Sequence, residues 1–223
     1  MRCSLAWACI VAAFGSAAPV SAQGRAAVVS VLEGSAQLRR DPGMPHDLRE
    51  GSPVEQGDVV ETGDDSRIEL KLRDSSLVRL GEHARLALTE AKFERGAVSA
   101  RRQFSVRLHS GKLWATAIPA EGGDRSFQIA TESAVASARG AATFRLDAHR
   151  DRSILLRVYS GAVAVRGDAR AGAREGWEKL IQKQMQILVS PDGRPGAPAP
   201  FTEADEQGDD WAAWNRKRDG REQ

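Results

Sequence analysis

Apolar and polar residues alternate along much of the chain in a way that predicts strands. Ile68, Leu70 and Leu72 alternate with Arg67, Glu69, Lys71 and Arg73; Asp74-Ser75-Ser76 then interrupts, and Val78 and Leu80 follow. A period of two means one face buried and one face wet. Asp-Ser-Ser is good turn chemistry, because these side chains bond to nearby backbone. Residues 67–80 therefore read as a hairpin, or as two strands at a sheet corner. Phe127 and Ile129 alternate in the same way, as do Ala142, Phe144 and Leu146. Gly51, Gly57, Gly63 and Gly81 punctuate the first half at turn-like intervals.

A longer pattern recurs. Val29, Val31, Gly34, Ala36 and Leu38 fit the template apolar-x-apolar-x-x-Gly-x-apolar-x-apolar. Val106, Leu108, Gly111, Leu113 and Ala115 fit it again, and so do Leu156, Val158, Gly161, Val163 and Val165. In each copy the apolar parity changes across the glycine. A straight strand cannot keep both halves on one face after such a change. A glycine at positive φ, in a bulge or tight turn, absorbs the extra residue without steric cost. Each copy is therefore expected to be strand, glycine turn, strand. The copies start at unequal spacing, so this is not a strict short-period array. The pattern predicts an all-β domain of many short strands, as a sandwich, barrel or solenoid.

Two stretches differ. In residues 178–189 (EKLIQKQMQILV), Ile181, Met185 and Leu188 have helical spacing, while Ile187-Leu188-Val189 also suits a strand; helix and strand both stay open. Residues 191–200 (PDGRPGAPAP) read as a Pro/Gly linker. Residues 201–223 then form a tail in which Trp211 and Trp214, three apart, share one face of a short helix. That helix either docks on its own domain or presents Trp211 and Trp214 to a partner or a glycan.

The N-terminus changes the picture. Met1-Arg2 brings a positive charge, Leu5 to Phe14 is a short apolar run, and Val20-Ser21-Ala22 precedes Gln23. This is the form of a secretory signal peptide over residues 1–22, cleaved between Ala22 and Gln23. The run is too short to span a bilayer, which takes roughly 20 residues. Both cysteines, Cys3 and Cys9, lie in this leader, which excludes disulfides and thiolate chemistry from the remainder. The whole chain has Lys+Arg 32 and Asp+Glu 30 with interspersed signs, so the basic stripe of a nucleic-acid binder is not expected. The expected location is the periplasm or beyond, with no stable membrane span after cleavage.

Catalytic chemistry finds little support. His46, His83, His109 and His149 are scattered and lack ligand spacing. Nucleophile-elbow and phosphate-loop motifs are missing. Neither a catalytic residue nor a metal or cofactor is assigned. A carboxylate pair of the glycosidase kind stays open, since Asp and Glu abound.

Residues 51–80 (GSPVEQGDVVETGDDSRIELKLRDSSLVRL) carry Gly57-Asp58, Thr62-Gly63, Ser66, Leu70, Leu72, Asp74, Ser76 and Arg79-Leu80 in an order that resembles the central motif of FecR-like domains. Residues 127–146 resemble the second motif of that family, with Ala141 where a threonine usually follows Arg139-Gly140. Residues 154–165, including Gly161, resemble its closing strand pair. The likeness spans about residues 27–190 and implies one domain over 23–190: a solenoid-like or sandwich-like all-β FecR domain with a short C-terminal helix. The motif residues have a structural explanation as turn formers, with Arg139-Gly140 at a bend. In the family, the domain lies outside the inner membrane and senses an outer-membrane iron-siderophore receptor on behalf of a sigma factor. The best-known family members carry a cytoplasmic segment and a spanning helix, neither of which is expected in this sequence. The resemblance thus implies a non-enzymatic binding or scaffold module for an envelope protein or cell-wall glycan. The alternative is an accessory in sigma-factor and iron-receptor signalling, with a carbohydrate-active enzyme behind both.

Overall fold

The computed structural model describes residues 25–95, 100–118, 125–138, 140–167 and 176–220. The leader 1–22, its exit at Ala22-Gln23, and Arg139 lie outside them.

The strands run in chain order as β1 (Ala27–Glu33), β2 (Ala36–Arg39), β3 (His46–Asp47), β4 (Pro53–Val54), β5 (Val59–Thr62), β6 (Arg67–Leu72), β7 (Leu77–Leu80), β8 (Arg85–Arg95) and β9 (Ala100–Ala117). After them come β10 (Arg125–Ala130), β11 (Ala134–Ala138), β12 (Ala142–Ala148), β13 (Ile154–Ser160), β14 (Ala162–Gly167), β15 (Glu178–Gln182), β16 (Met185–Val189) and β17 (Ala199–Pro200). A 3-10 turn at Glu203–Glu206 and one helix, α1 (Asp210–Asp219), close the described chain.

All 17 strands belong to one open ladder, folded into two layers. The first layer has the order β4-β1-β6-β7-β9-β12-β13-β16-β17, antiparallel throughout. The second is β3-β2-β5-β8-β9-β10-β11-β14-β15, antiparallel but for the parallel pair β9–β10. The 18-residue strand β9 belongs to both. Its first part pairs with β8 as far as Ser110, and its last part pairs with β7 and β12 from Gly111 onward.

The three template glycines sit at the passages between layers. Gly34 lies between β1 and β2, Gly111 inside β9, and Gly161 between β13 and β14, with φ of 80°, 94° and 73°. The parity change has its cause here: each half-strand must aim its apolar side inward from opposite layers. Val29, Leu113, Leu156 and Val158 face Leu38, Val106, Leu108, Val163 and Val165 in one buried cluster. For the copies at Gly111 and Gly161 the sequence pattern and the two-layer, solenoid-like path are one fact; in the first copy a register shift between Val29 and Val31 leaves Val31 out of the cluster, and Leu32 packs against it instead.

Residues 67–80 form the β6–β7 hairpin, with Ile68 opposite Leu80 and Leu70 opposite Val78. The Asp74 carboxylate accepts from the Ser76 amide at 3.0 Å, as a turn-forming aspartate should. One expectation needs correcting. The alternate face of this hairpin is wet at Lys71 and Arg73 but not at Glu69 and Arg79, which are 2 % and 0 % exposed. The C-terminal segment covers them.

Residues 178–189 are strands, not helix. Ile181 points into the core from β15, Ile187 and Val189 do so from β16, and Leu188 faces out. Gln184, at φ 60°, makes the passage between layers that glycine makes at Gly34, Gly111 and Gly161. Residues 191–200 turn back along β16: Gly196 donates to the Leu188 carbonyl at 2.8 Å, and β17 pairs with Met185 and Gln186.

Candidate functional site

Several of the singled-out motif residues are joints of the fold. The Ser66 hydroxyl accepts from the Ser35 amide at 2.8 Å and donates to the Asp64 carbonyl at 2.7 Å. It thereby ties the β1–β2 passage to the β5–β6 passage. The Gly63 amide donates to the Ser35 carbonyl at 3.0 Å. Asp58, fully buried, accepts from both guanidinium arms of Arg40 at 2.7 and 2.8 Å and from the Glu55 amide at 2.8 Å. Gly57, at φ 94°, turns the chain into it. The Ser76 hydroxyl accepts from the Ile118 amide at 3.2 Å. Gly140 and Gly161 lie at positive φ on either side of β12 and β13.

Thr62 makes the most of one hydroxyl. It donates to the Gly81 carbonyl at 2.6 Å and accepts from the Ala84 amide at 2.9 Å, all of it buried. Thr62→Val keeps the shape and strands both backbone groups. A loss of roughly 1–3 kcal/mol is expected in chemical denaturation, and an unchanged midpoint would contradict this role.

Arg79 belongs to a different arrangement. On the outer face of the first layer, one row of cross-strand neighbours runs Glu69, Arg79, Trp114, Arg145, Arg157, Gln186 across β6, β7, β9, β12, β13 and β16. Cross-strand neighbours on one face stand close enough to interact. Arg79 donates to Glu69 at 2.7 Å, Arg145 to Asp147 at 2.8 Å, and Arg157 to Gln186 at 3.0 Å. Tyr159 stacks on Trp114 with ring centroids 4.2 Å apart.

The segment after β17 roofs this row. Glu206, 3 % exposed, sits at its centre. It accepts from the Tyr159 hydroxyl at 2.5 Å, from Arg145 and Arg157 at 3.4 Å, and from Arg216 at 2.7 Å. Asp209 accepts from the α1 amide of Ala212 at 3.1 Å and, through its other oxygen, from Arg145 at 2.6 Å. One carboxylate thus caps the helix and binds the sheet, a placement the helix dipole also favours. At the other end of α1, Asp219 pairs with Arg79 and accepts from the Trp114 indole at 3.1 Å. Arg218 reaches Glu69 at 3.2 Å.

Trp211 is buried, with its ring against Gly81 and stacked on Trp214 at 5.4 Å. Trp214 is partly exposed; it donates to Glu33 at 3.0 Å and lies beneath Arg67 and Arg218, 5.8 and 5.0 Å from its centroid. Phe201 packs edge-on against Tyr159 at 5.3 Å.

The electrostatics follow. Burial pushes the Glu69 carboxyl up, but hydrogen bonds from Ser30 and Arg79 and the charges of Arg79 and Arg218 outweigh it and hold it below its usual range. For Asp209 burial again pushes up, and the hydrogen bond and charge of Arg145 with the Ala212 amide bring it down. Burial and the neighbouring Glu206 push the Tyr159 phenol far up, so it remains a donor. A carboxylate lowered in the fold adds stability above its unfolded pKa and withdraws it as pH falls. The roof should therefore loosen as pH drops below 4.5 and 3.8, the ordinary Glu and Asp values. Hydrogen exchange should show α1 amides losing protection at a higher pH than those of β9. Simultaneous loss in both would count against it.

The histidines stay apart. His83 lies 3.4 Å from Asp64 on the surface, and burial together with Arg85 and Arg107 pushes His109 down. Among the described residues, no group of three or more His, Cys, Asp or Glu could hold a metal ion.

Sequence reasoning missed Arg40, Trp114, Arg145, Asp147, Arg157, Tyr159, Glu206, Asp209 and Asp219. One signal was present: Arg145 and Asp147 stand two apart in β12, between Phe144, Leu146 and Ala148. They read as an ordinary wet face.

Residues 58–164 match the family model described as FecR protein. The chain carries a FecR domain. The match begins at Asp58 and ends in β14. It includes the row from Glu69 to Arg157, whereas the roof residues Glu206, Asp209 and Asp219 lie outside it. Two crystal structures of a "putative anti-sigma factor" from Parabacteroides distasonis ATCC 8503 are similar at 17 % identity, with TM-scores of 0.47 and 0.48. The match covers 64 % of this chain and 59 % of theirs, so this chain spans less than two thirds of their length. No curated protein matches the chain.

Proposed function

We propose that this chain is an exported recognition module of the cell envelope that acts by binding, as an accessory in sigma-factor signalling. The FecR domain carries this reading. The family is regulatory, and its domain senses a partner outside the inner membrane. The partner would be an envelope protein, an outer-membrane receptor or a spanning regulator. No helix among the described residues is long and apolar enough to cross a membrane.

The test is a cross-linking pull-down of the chain from the envelope of its own organism, read by mass spectrometry. Recovery of a receptor or a spanning regulator is the expected result. Recovery of cell-wall glycan or structural proteins alone would make it a scaffold and leave the FecR likeness as a statement about fold.

A further inference from the structure

The C-terminal segment is held differently from the rest of the chain. The apolar cluster that joins the two layers is built from residues between Ala26 and Val189. Phe201, Trp211 and Ala212 are buried, yet they lie outside that cluster. Beside the packing of Phe201 and Trp211, the attachment is ionic, through Arg79–Asp219, Arg145–Asp209 and Arg157–Glu206. On the sheet side, Arg79, Arg145 and Arg157 outnumber Glu69 and Asp147, so the face is net basic. On the segment side, Glu206, Asp209 and Asp219 outnumber Arg216 and Arg218, so the cover is net acidic.

Two physical arguments make such a cover exchangeable. Attraction between buried charges is largely offset by the cost of taking them out of water, so another occupant of like charge loses little. In addition, α1 has 10 residues, too few for a helix that holds itself in water. Its order depends on the face beneath it.

We propose that the outer face of the first layer is a docking face for a short acidic, tryptophan-bearing helix of a partner protein, and that residues 201–220 occupy it in cis. This rests on reading the chain as a recognition module and says where the partner binds. The basic face lies inside the FecR domain and the present occupant outside it. The arriving helix needs a carboxylate at each end, for Arg145 and Arg79, as Asp209 and Asp219 supply now. It also needs an aromatic ring toward Arg67, where Trp214 lies. A tethered occupant acts at an effective concentration on the order of millimolar. The partner must outbid it, and the segment thereby sets the threshold for binding.

The probe is a fluorescent peptide of the chain's own residues 201–220, added in trans to the full chain and to full-length Asp209→Asn/Asp219→Asn. The double variant loosens the cis segment and leaves the sheet untouched. It should bind the peptide at least about ten-fold more tightly than the unaltered chain, a difference of roughly one ion pair. In the unaltered chain, α1 amides should exchange through a local opening while those of β9 exchange only on global unfolding. Equal peptide affinity for the two proteins overturns the proposal, as does α1 protection equal to that of β9. Failure of the double variant to fold overturns it too, since a displaceable segment cannot be required for the fold. An unaltered chain that is dimeric, and that the peptide makes monomeric, assigns the face to a second copy instead. Because the peptide assay needs no knowledge of the natural partner, an empty pull-down and a failed displacement are separate results.

Discussion

Gly161→Val is expected to destabilise the domain by roughly 3–5 kcal/mol, among the largest effects open to a single substitution. Two penalties act together. At φ 73° a β-branched residue is strained wherever it stands. A Cβ at this position would also lie 2.0 Å from the Ala141 carbonyl oxygen and 2.9 Å from the Ala142 Cα. Both obstacles are backbone, at the start of a strand paired on both sides, so they have nowhere to go. Gly140→Ala is the matched control. Gly140 is also at positive φ, 94°, but a Cβ there meets nothing within 4 Å. It should cost only the conformational term, about 1–2 kcal/mol. Denaturant midpoints of the two variants measure the difference. Equal midpoints would mean that the close approach at the β13–β14 passage is not what fixes the glycine.

Arg145→Ala is expected to cost about as much, roughly 3–5 kcal/mol, for an electrostatic reason. The side chain is 3 % exposed and neutralises Asp147, Asp209 and part of Glu206. Without it Asp147 and Asp209 keep their burial and lose their counter-ion, while Glu206 keeps Arg157 and Arg216. The deficit should shrink in acid, because Asp209 without Arg145 loses the contact that holds its carboxyl low while burial still pushes it up, so it takes up a proton more readily. The Gly161→Val deficit should not shrink in this way. Comparing each variant with the unaltered chain at neutral and mildly acidic pH separates the two mechanisms. A deficit for Arg145→Ala that stays constant with pH would point to lost packing of a large side chain.

What the sequence revealed depended on how local the cause was. A parity change across Gly34, Gly111 and Gly161 is visible without a structure, because the geometry it records lies within ten residues. The Asp74 turn and the β6–β7 hairpin are legible for the same reason. The passage at Gln184 escaped because a non-glycine residue takes the positive φ there, so the template had nothing to anchor on. The charged row was illegible for a deeper reason. Glu69, Arg79, Arg145 and Arg157 follow the same alternation as any solvated strand face. What makes them buried is a cover that arrives from 201–220, and no pattern within β6, β7, β12 or β13 reports it. Only the paired Trp211 and Trp214 hinted that the tail had somewhere to dock.

The order in which strands join the two layers has a consequence for descent. From β7 onward, each layer is extended in the direction the chain runs, and a strand's neighbours are the strands of its own layer made just before and just after it, with β9 threading both layers. A domain built this way resembles a stack of shelves more than a closed box. An extra strand–passage–strand unit could be inherited or lost between β13 and the end of the ladder without re-pairing what came earlier. Relatives of this chain are therefore expected to differ in length by whole units, and to keep at each junction a residue able to take positive φ.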